Sequence, residues 1–289
     1  MHVKILTDSA CDLPLAFYRN AGVTLLPLKV QLDGNEYEDV KMIQPKMVYE
    51  AIRSGKTPKT SQVSPFLFEK TFTDMAEKNE DGIYIAFSSQ LSGTYQTAKM
   101  IFEQVKEKYP NFSLTIVDTK CASIGEGLIV KEAAILAANG ASKDDILNDV
   151  LFRAEHMEHL FTVDDLEYLA KGGRISKSSA FLGGLLNIKP LLNMEDGKLV
   201  PIEKVRGKKK LLHRIIEVMK ERGAHLSEQT IGISHADNED TAEEVRRMIE
   251  EAFQPKEIYL ADIGSAIGSH TGTGTIAVFF LNQLPNKKE

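Results

Sequence analysis

One stretch constrains the fold more than any other: Ile83-Tyr84-Ile85-Ala86-Phe87, followed at once by Ser88-Ser89-Gln90-Leu91-Ser92-Gly93-Thr94. The apolar run reads as a buried strand. The amphipathic pattern from Tyr95 to Lys108 reads as a helix. A strand, a hydroxyl-rich glycine turn and a helix start in this order belong to a parallel α/β sheet. The turn then lies at the carboxyl end of the strand, where such folds bind ligands. Backbone N–H groups and the dipole at a helix start favour an anion. The hydroxyls add neutral donors, so the turn suits a carboxylate or phosphate held without a formal positive charge.

A second hydroxyl cluster, Thr57-Pro58-Lys59-Thr60-Ser61-Gln62-Val63-Ser64-Pro65, lies upstream. Ser64 before Pro65 has the form of an N-cap and first helical residue. Thr60 and Ser61 are then expected in a loop before a helix. The two hydroxyl loops either converge on one anion or are ordinary helix caps.

The rest of the first half alternates strands and helices. Strands are expected at Val3–Leu6, Val23–Leu32, Ile83–Phe87 and Leu114–Val117, with helices at Leu13–Asn20, Pro45–Arg53, Pro65–Lys78, Glu126–Asn139 and Ser142–His156. Asp8, Ser9, Ser88 and Asp118 sit at strand ends and fit one polar rim of a parallel sheet. The second half has a different rhythm. Glu195-Asp196-Gly197-Lys198 lies between apolar runs and is a strong hairpin signal. Asp164 is expected to cap a helix through Ala170, stopped by Gly172-Gly173. Ser176–Leu186 and Lys208–Arg222 read as helices, and Ile231–His235, Glu257–Ala261 and Thr275–Leu281 as strands. The expected architecture is α/β with two domains: residues 1–157, a parallel-sheet Rossmann-like unit carrying the hydroxyl loops, and residues 158–289, a mixed-sheet unit.

A chain of 289 residues with 43% hydrophobic and 26% charged content is globular, and two domains suit its length. Its net charge of −6 weighs against a dedicated nucleic-acid or anionic-membrane binder, since the basic run Arg206–Lys210 is local. No apolar run approaches the ~20 residues of a membrane span. The chain enters a strand at once, so no signal peptide is expected. Cys11 and Cys121 are far apart in sequence and read as reduced thiols of a cytoplasmic protein.

Other segments leave alternatives open. The small and apolar run around Phe181, Leu182 and Leu185 either lines an apolar tunnel or packs on a neighbouring helix. Arg174, after Gly172-Gly173, serves a ligand or partner surface, or caps a helix dipole. The glycine-rich segment Gly268–Gly274 reads as a turn. Its His270 is a ligand donor, a general base or a structural histidine. Arg206 closes an anion site or belongs to a solvated basic cap. No Gly-x-Ser-x-Gly elbow, His-Glu-x-x-His motif, Rossmann glycine fingerprint or metal-ligand cluster is found. Anion donors without a nucleophile and base favour binding over catalysis, with no cofactor expected.

Thr7-Asp8-Ser9-x-x-Asp12-Leu13, Thr60-Ser61-Gln62, Ser88-Ser89-x-Leu91-Ser92-Gly93-Thr94, Leu169-x-x-Gly172-Gly173-Arg174 and His270-Thr271-Gly272-x-Gly274 occur in register along nearly the whole chain. Together they resemble the DegV family. The resemblance implies two α/β domains with a long-chain fatty acid such as palmitate buried between them, and a cytoplasmic carrier in lipid metabolism and lipid transport. It implies a carboxylate held by Thr60 and Ser92, with Ser61 and the Gly93 backbone close by and Arg206 and His270 near it. It also implies a separate ATP-dependent fatty-acid kinase as partner, with Arg174, Lys208 and Lys209 on the surface facing it. Phe181, Leu182 and Leu185 are candidate tunnel walls. At ~0.8 kcal/mol per buried methylene, a chain of about sixteen carbons has roughly 10 kcal/mol of gross driving force, partly offset by ordering. Two other functions remain open: an enzyme acting on a phosphorylated small molecule, with His270 as acid–base group and Arg206 as phosphate clamp, and a nucleic-acid-associated regulator using Arg206–Lys210.

Overall fold

A computed structural model describes residues 3–175 and 187–285. The apolar runs of the first half form β1 (Lys4–Asp8), β2 (Thr24–Leu26), β6 (Gly82–Ala86) and β7 (Leu114–Asp118), a parallel sheet in the order β2-β1-β6-β7. Side chains alternate across a strand, so the sheet builds two cores. Leu6, Tyr84 and Ala86 pack against Phe68 and Phe72 of α3 (Pro65–Glu77) and Ala98 and Ile101 of α4 (Thr94–Lys108). On the other face Ile5, Ile83 and Ile85 pack against α5 (Ile124–Ala138) and α6 (Lys143–His156). Helix α6 starts as its Ser142–Asp145 spacing suggests: Ser142 accepts from Asp145 N at 3.1 Å and donates to its carboxylate at 2.7 Å.

The chain passes from α6 directly into a second sheet. Its strands are β8 (Met157–Thr162), β9 (Ile188–Glu195), β10 (Lys198–Arg206), β11 (Thr230–His235), β12 (Glu257–Asp262) and β13 (Ile276–Leu281). Their order is β10-β9-β8-β13-β11-β12, and only β11 and β12 pair in parallel. The Asp196-Gly197 hairpin forms where expected, with both residues at positive φ. Leu160, Ile233, Val278 and Phe280 face α8 (Lys208–Arg222) and α9 (Glu239–Phe253). Phe161, Ala277 and Phe279 face the other way and join the core around α5.

Helix α5 is therefore the element on which the two sheets meet. Its first half, Ile124–Val130, is buried on nearly every side, while Ile135 and Ala138 near its end are exposed. Gly125 makes the contact close: a Cβ there would stand 2.5 Å from His159 Nε2 and 2.9 Å from the Phe279 ring.

Four local expectations are corrected. The strand expected over Val23–Leu32 is broken at Pro27, which has no N–H for a ladder. Beyond it, β3 (Lys29–Leu32) joins β4 (Asn35–Glu38) and β5 (Lys59–Ser61) in a separate antiparallel sheet, order β4-β3-β5. Thr60 and Ser61 thus lie in a strand, not a loop. The cap of α7 (Leu166–Lys171) is Asp165, which accepts from Tyr168 N at 3.0 Å, while Asp164 pairs with Lys189 at 2.7 Å. The segment expected as a glycine turn contains α10 (Ser265–Thr271), which ends at Gly272. The remaining helices, α1 (Leu15–Ala21) and α2 (Pro45–Arg53), match their expected positions.

Candidate functional site

A cavity of about 410 Å³ lies between the two sheets, a size typical of small-molecule sites. Phe87 and Leu91 wall it from the first half and Phe161, Leu169 and Phe279 from the second, with Ile263 just before α10 and Ile267 within it. The cross-strand pair Met194 and Leu199 covers it. Thr60, Ser61, Gln62, Ser92, Gly93, Arg174 and His270 gather at one end. The result is an amphipathic chamber: a cluster of donors faces walls that are mainly apolar, interrupted by Ser123, His159, Thr271 and Thr275.

The two hydroxyl segments converge because their helices pack together. After β5, Gln62 Nε2 donates to Thr97 Oγ1 at 2.6 Å and Val63 N to Thr94 Oγ1 at 3.4 Å, tying the α3 entrance to the α4 entrance. Gly93 lies close to this contact, and a Cβ there would displace the Gln62 amide oxygen. Ser64 stands at the start of α3, but its side chain makes no cap bond.

Hydrogen-bond counting shows what Ser92 offers. Its Oγ accepts from Thr94 N at 3.2 Å and lies 2.8 Å from Thr94 Oγ1, which itself accepts from Val63 N. With Thr94 donating to Ser92, the Ser92 proton is left for a ligand.

His270 Nε2 lies 2.5 Å from Thr60 Oγ1. Burial, helped by the nearby Arg174 charge, pushes the imidazole down to about 4, so it is neutral at pH 7. The roles follow the tautomer: with the proton on Nε2, His270 donates to Thr60, frees the Thr60 O–H for an oxyanion and leaves Nδ1 buried without a partner, whereas with the proton on Nδ1, Thr60 donates to His270. Arg174 is half-buried in the cavity wall. Its Nε donates to Leu91 O at 3.2 Å and its Nη1 to Gly172 O at 2.7 Å.

Thr60, Ser61, Ser92, Gly93 and His270 are thus brought together. Arg174, read as serving a ligand or a partner surface, lines this cavity as well as the outward cleft beside it, and brings a formal positive charge to the hydroxyl cluster. Gln62 and Thr94, which organise the site, lie within the quoted motifs but had been given no role. Arg206, expected near the carboxylate, is exposed at the end of β10 and away from the cavity lining. Lys208 and Lys209 are exposed at the start of α8, and Lys208 pairs with Glu244 at 3.1 Å. Phe181, Leu182 and Leu185 lie outside the described residues.

The other strand-end groups serve the fold. Asp8 accepts from Ala10 N at 3.1 Å, Tyr84 Oη at 2.9 Å and Phe87 N at 3.0 Å, and burial pushes it up to about 6. Ser9 Oγ accepts from Leu28 N, and Asp118 from Ser89 N. Among the described residues no group of three His, Cys, Asp or Glu is placed to hold a metal ion. No helix among them is long and apolar enough to cross a membrane.

A family model described as "Uncharacterised protein, DegV family COG1307" matches residues 2–283. A DegV domain-containing protein of Clostridium perfringens is 41% identical over 280 residues, covering 96% of each chain. Among solved structures, a DegV family protein from Thermus thermophilus, described by its fatty acid binding, superposes with a TM-score of 0.88 at 31% identity, covering 96% of this chain and 99% of that one. DegV from Bacillus subtilis, described as a fatty acid binding protein, superposes with a TM-score of 0.84 at 28% identity, covering 96% and 98%.

Proposed function

The chain belongs to the DegV family, and we propose that it binds a long-chain fatty acid between units 1–157 and 158–289 and presents the carboxylate to a separate ATP-dependent kinase. The observation that carries this reading is the junction of a donor cluster with an apolar chamber. Thr60 and Ser92 supply O–H donors and Arg174 a charge. Desolvation raises the pKa of a bound acid and the guanidinium lowers it. With Arg174 in the wall, the bound head is a carboxylate at neutral pH. An infrared carboxylate band from carboxyl-labelled fatty acid checks this, and an acid carbonyl band contradicts it.

The head end also opens outward. A cleft of about 620 Å³ shares Thr60, Arg174 and His270 with the cavity and carries Lys56, Lys59 and Lys171 on its walls. This is the side from which a phosphoryl donor reaches the carboxylate. The chain itself is a carrier and has no turnover of its own. The apolar walls argue against a phosphorylated polar metabolite, whose hydroxyls would go unpaired there.

The deciding experiment is mass spectrometry of organic extracts from the purified protein, beside an equally handled control. Near-stoichiometric fatty acid supports the carrier reading. An empty extract, with no binding of added hexadecanoate, overturns it. Formation of acyl phosphate with ATP and a fatty-acid kinase, dependent on this chain, tests the partner.

A further inference from the structure

The hairpin β9–β10 belongs by hydrogen bonding to the second sheet, yet its tip is held by the first half of the chain. Gly197 at the tip is buried, although the neighbouring Glu195, Asp196 and Lys198 are exposed. Ser88 Oγ donates to Gly197 O at 2.8 Å. The fit is close: a Cβ on Gly197 would stand 2.5 Å from Ser88 Oγ and 3.2 Å from both Gln90 Cγ and Lys120 Cβ. Gly197 also has φ +80°, so glycine is required twice over. Outside this contact, Lys120 pairs with Asp196 at 3.1 Å in an exposed position. Behind the tip, Met194 and Leu199 pair across the hairpin and cover the cavity. Both also pack on the core of the first sheet with α3 and α4.

Ser88 has a second task. Its carbonyl accepts from Leu91 N at 3.0 Å and Ser92 N at 3.2 Å, and its Oγ accepts from Gln90 N at 3.3 Å. One residue therefore shapes the turn that presents Ser92 and also holds the hairpin tip.

We propose that the β9–β10 hairpin is a strap across the acyl cavity, latched by Ser88 on Gly197, and that ligand enters and leaves by its release. The proposal rests on the fatty-acid reading above. Ser88 is a positioning residue in it: it touches no ligand and couples closure over the chain to the shape of the head-group turn. A carboxylate that orders this turn favours the latched state, and the latched state by linkage favours the carboxylate.

The test uses the full-length chain loaded with a fluorescent sixteen-carbon fatty acid, whose release into excess unlabelled hexadecanoate is timed. Ser88→Ala and Gly197→Ala are expected to speed release about tenfold, measured at temperatures where circular dichroism shows each variant folded. A purely stabilising contact would lower the unfolding temperature and leave release from the folded protein unchanged, which overturns the proposal. A second arm joins Lys120→Cys to Asp196→Cys in a Cys121→Ala background, with the disulfide verified by peptide mapping. Oxidation should slow release at least tenfold, and reduction of the same sample should restore it. Equal rates in the two redox states overturn the strap while leaving fatty-acid binding intact. If the unaltered chain binds no fatty acid, the functional reading fails instead.

Discussion

Two clusters of polar side chains lie near the carboxyl end of the parallel sheet, and they have opposite fates. Asp8, Asp12, Asp39 and Glu126 are buried and accept from the chain's own groups, with one oxygen each of Asp12, Asp39 and Glu126 left unpartnered. Ser123 donates to Asp12 at 2.5 Å, Val40 N to Asp39 at 2.9 Å and Thr7 to Glu126 at 3.0 Å. Burial raises the pKa of each of these acids. Thr60, Ser92, Arg174 and His270 instead border open space, where a ligand can take a share of their hydrogen bonds. The comparison teaches that polarity at a strand end does not itself mark a ligand site. What marks it is polar capacity that borders a cavity a ligand can enter.

The largest effect should come from the enclosed cluster. Asp8→Ala strands Tyr84 Oη and two backbone N–H groups in the core, and at ~1–3 kcal/mol for each unsatisfied group it should cost about 4 kcal/mol. Urea unfolding measures this, while hexadecanoate affinity of the folded protein should stay unchanged. An affinity loss comparable to the stability loss would break the division between the clusters.

The pH dependences should have opposite signs. Asp8 titrates at about 6 in the fold against an ordinary 3.8. Its contribution is present below the ordinary value and lost as pH rises through 6. His270 titrates at about 4 against 6.5, so its contribution is present above 6.5 and lost as pH falls toward 4. Each shift corresponds to roughly 3 kcal/mol. Relative to Asp8→Asn, the unaltered chain should lose stability as pH rises from 4 to 7. Relative to His270→Asn, it should gain stability over the same range. Urea midpoints across pH check both, and slopes of the same sign would refute the contrast.

Within the open cluster, Thr60→Ala with Ser92→Ala should weaken hexadecanoate binding about 100-fold, taking ~1.5 kcal/mol for each hydrogen bond to a charged group. The urea midpoint should barely move. Isothermal titration calorimetry would detect a failure of this prediction as an unaltered dissociation constant. Smallest is the arginine contrast: Arg174→Ala should weaken binding about tenfold, and Arg206→Ala by less than about twofold. Equal losses would return Arg206 to the carboxylate.

The strands and helices were legible wherever local pattern decides them. The run Ile83–Phe87, the Asp196-Gly197 hairpin and the helix Lys208–Arg222 form as read, because periodicity and turn chemistry act over a few residues. The break at Pro27 was equally local and was passed over, as was Asp33-Gly34, which turns β3 into β4. Helix α10 was hidden by its glycines, since Gly268 inside it packs against the Tyr49 ring and resembles a turn residue in sequence alone. The meeting of Thr60 with His270, 210 positions apart, had no local signal, and the segment around Arg174 gave one that did not choose between ligand, partner and helix cap.

By itself the sequence determined an α/β chain, most of its strands and helices, two hydroxyl segments suited to an anion, and the motifs that mark its family. Those follow from patterns of neighbouring residues. Only the tertiary structure decided that Asp8 is enclosed in the core and Ser92 borders the cavity, that Arg174 faces the cavity and Arg206 does not, and that the hairpin tip reaches across to Ser88. Each of these depends on which distant backbone and side-chain groups consume a residue's hydrogen bonds, and that count closes only when the chain has packed.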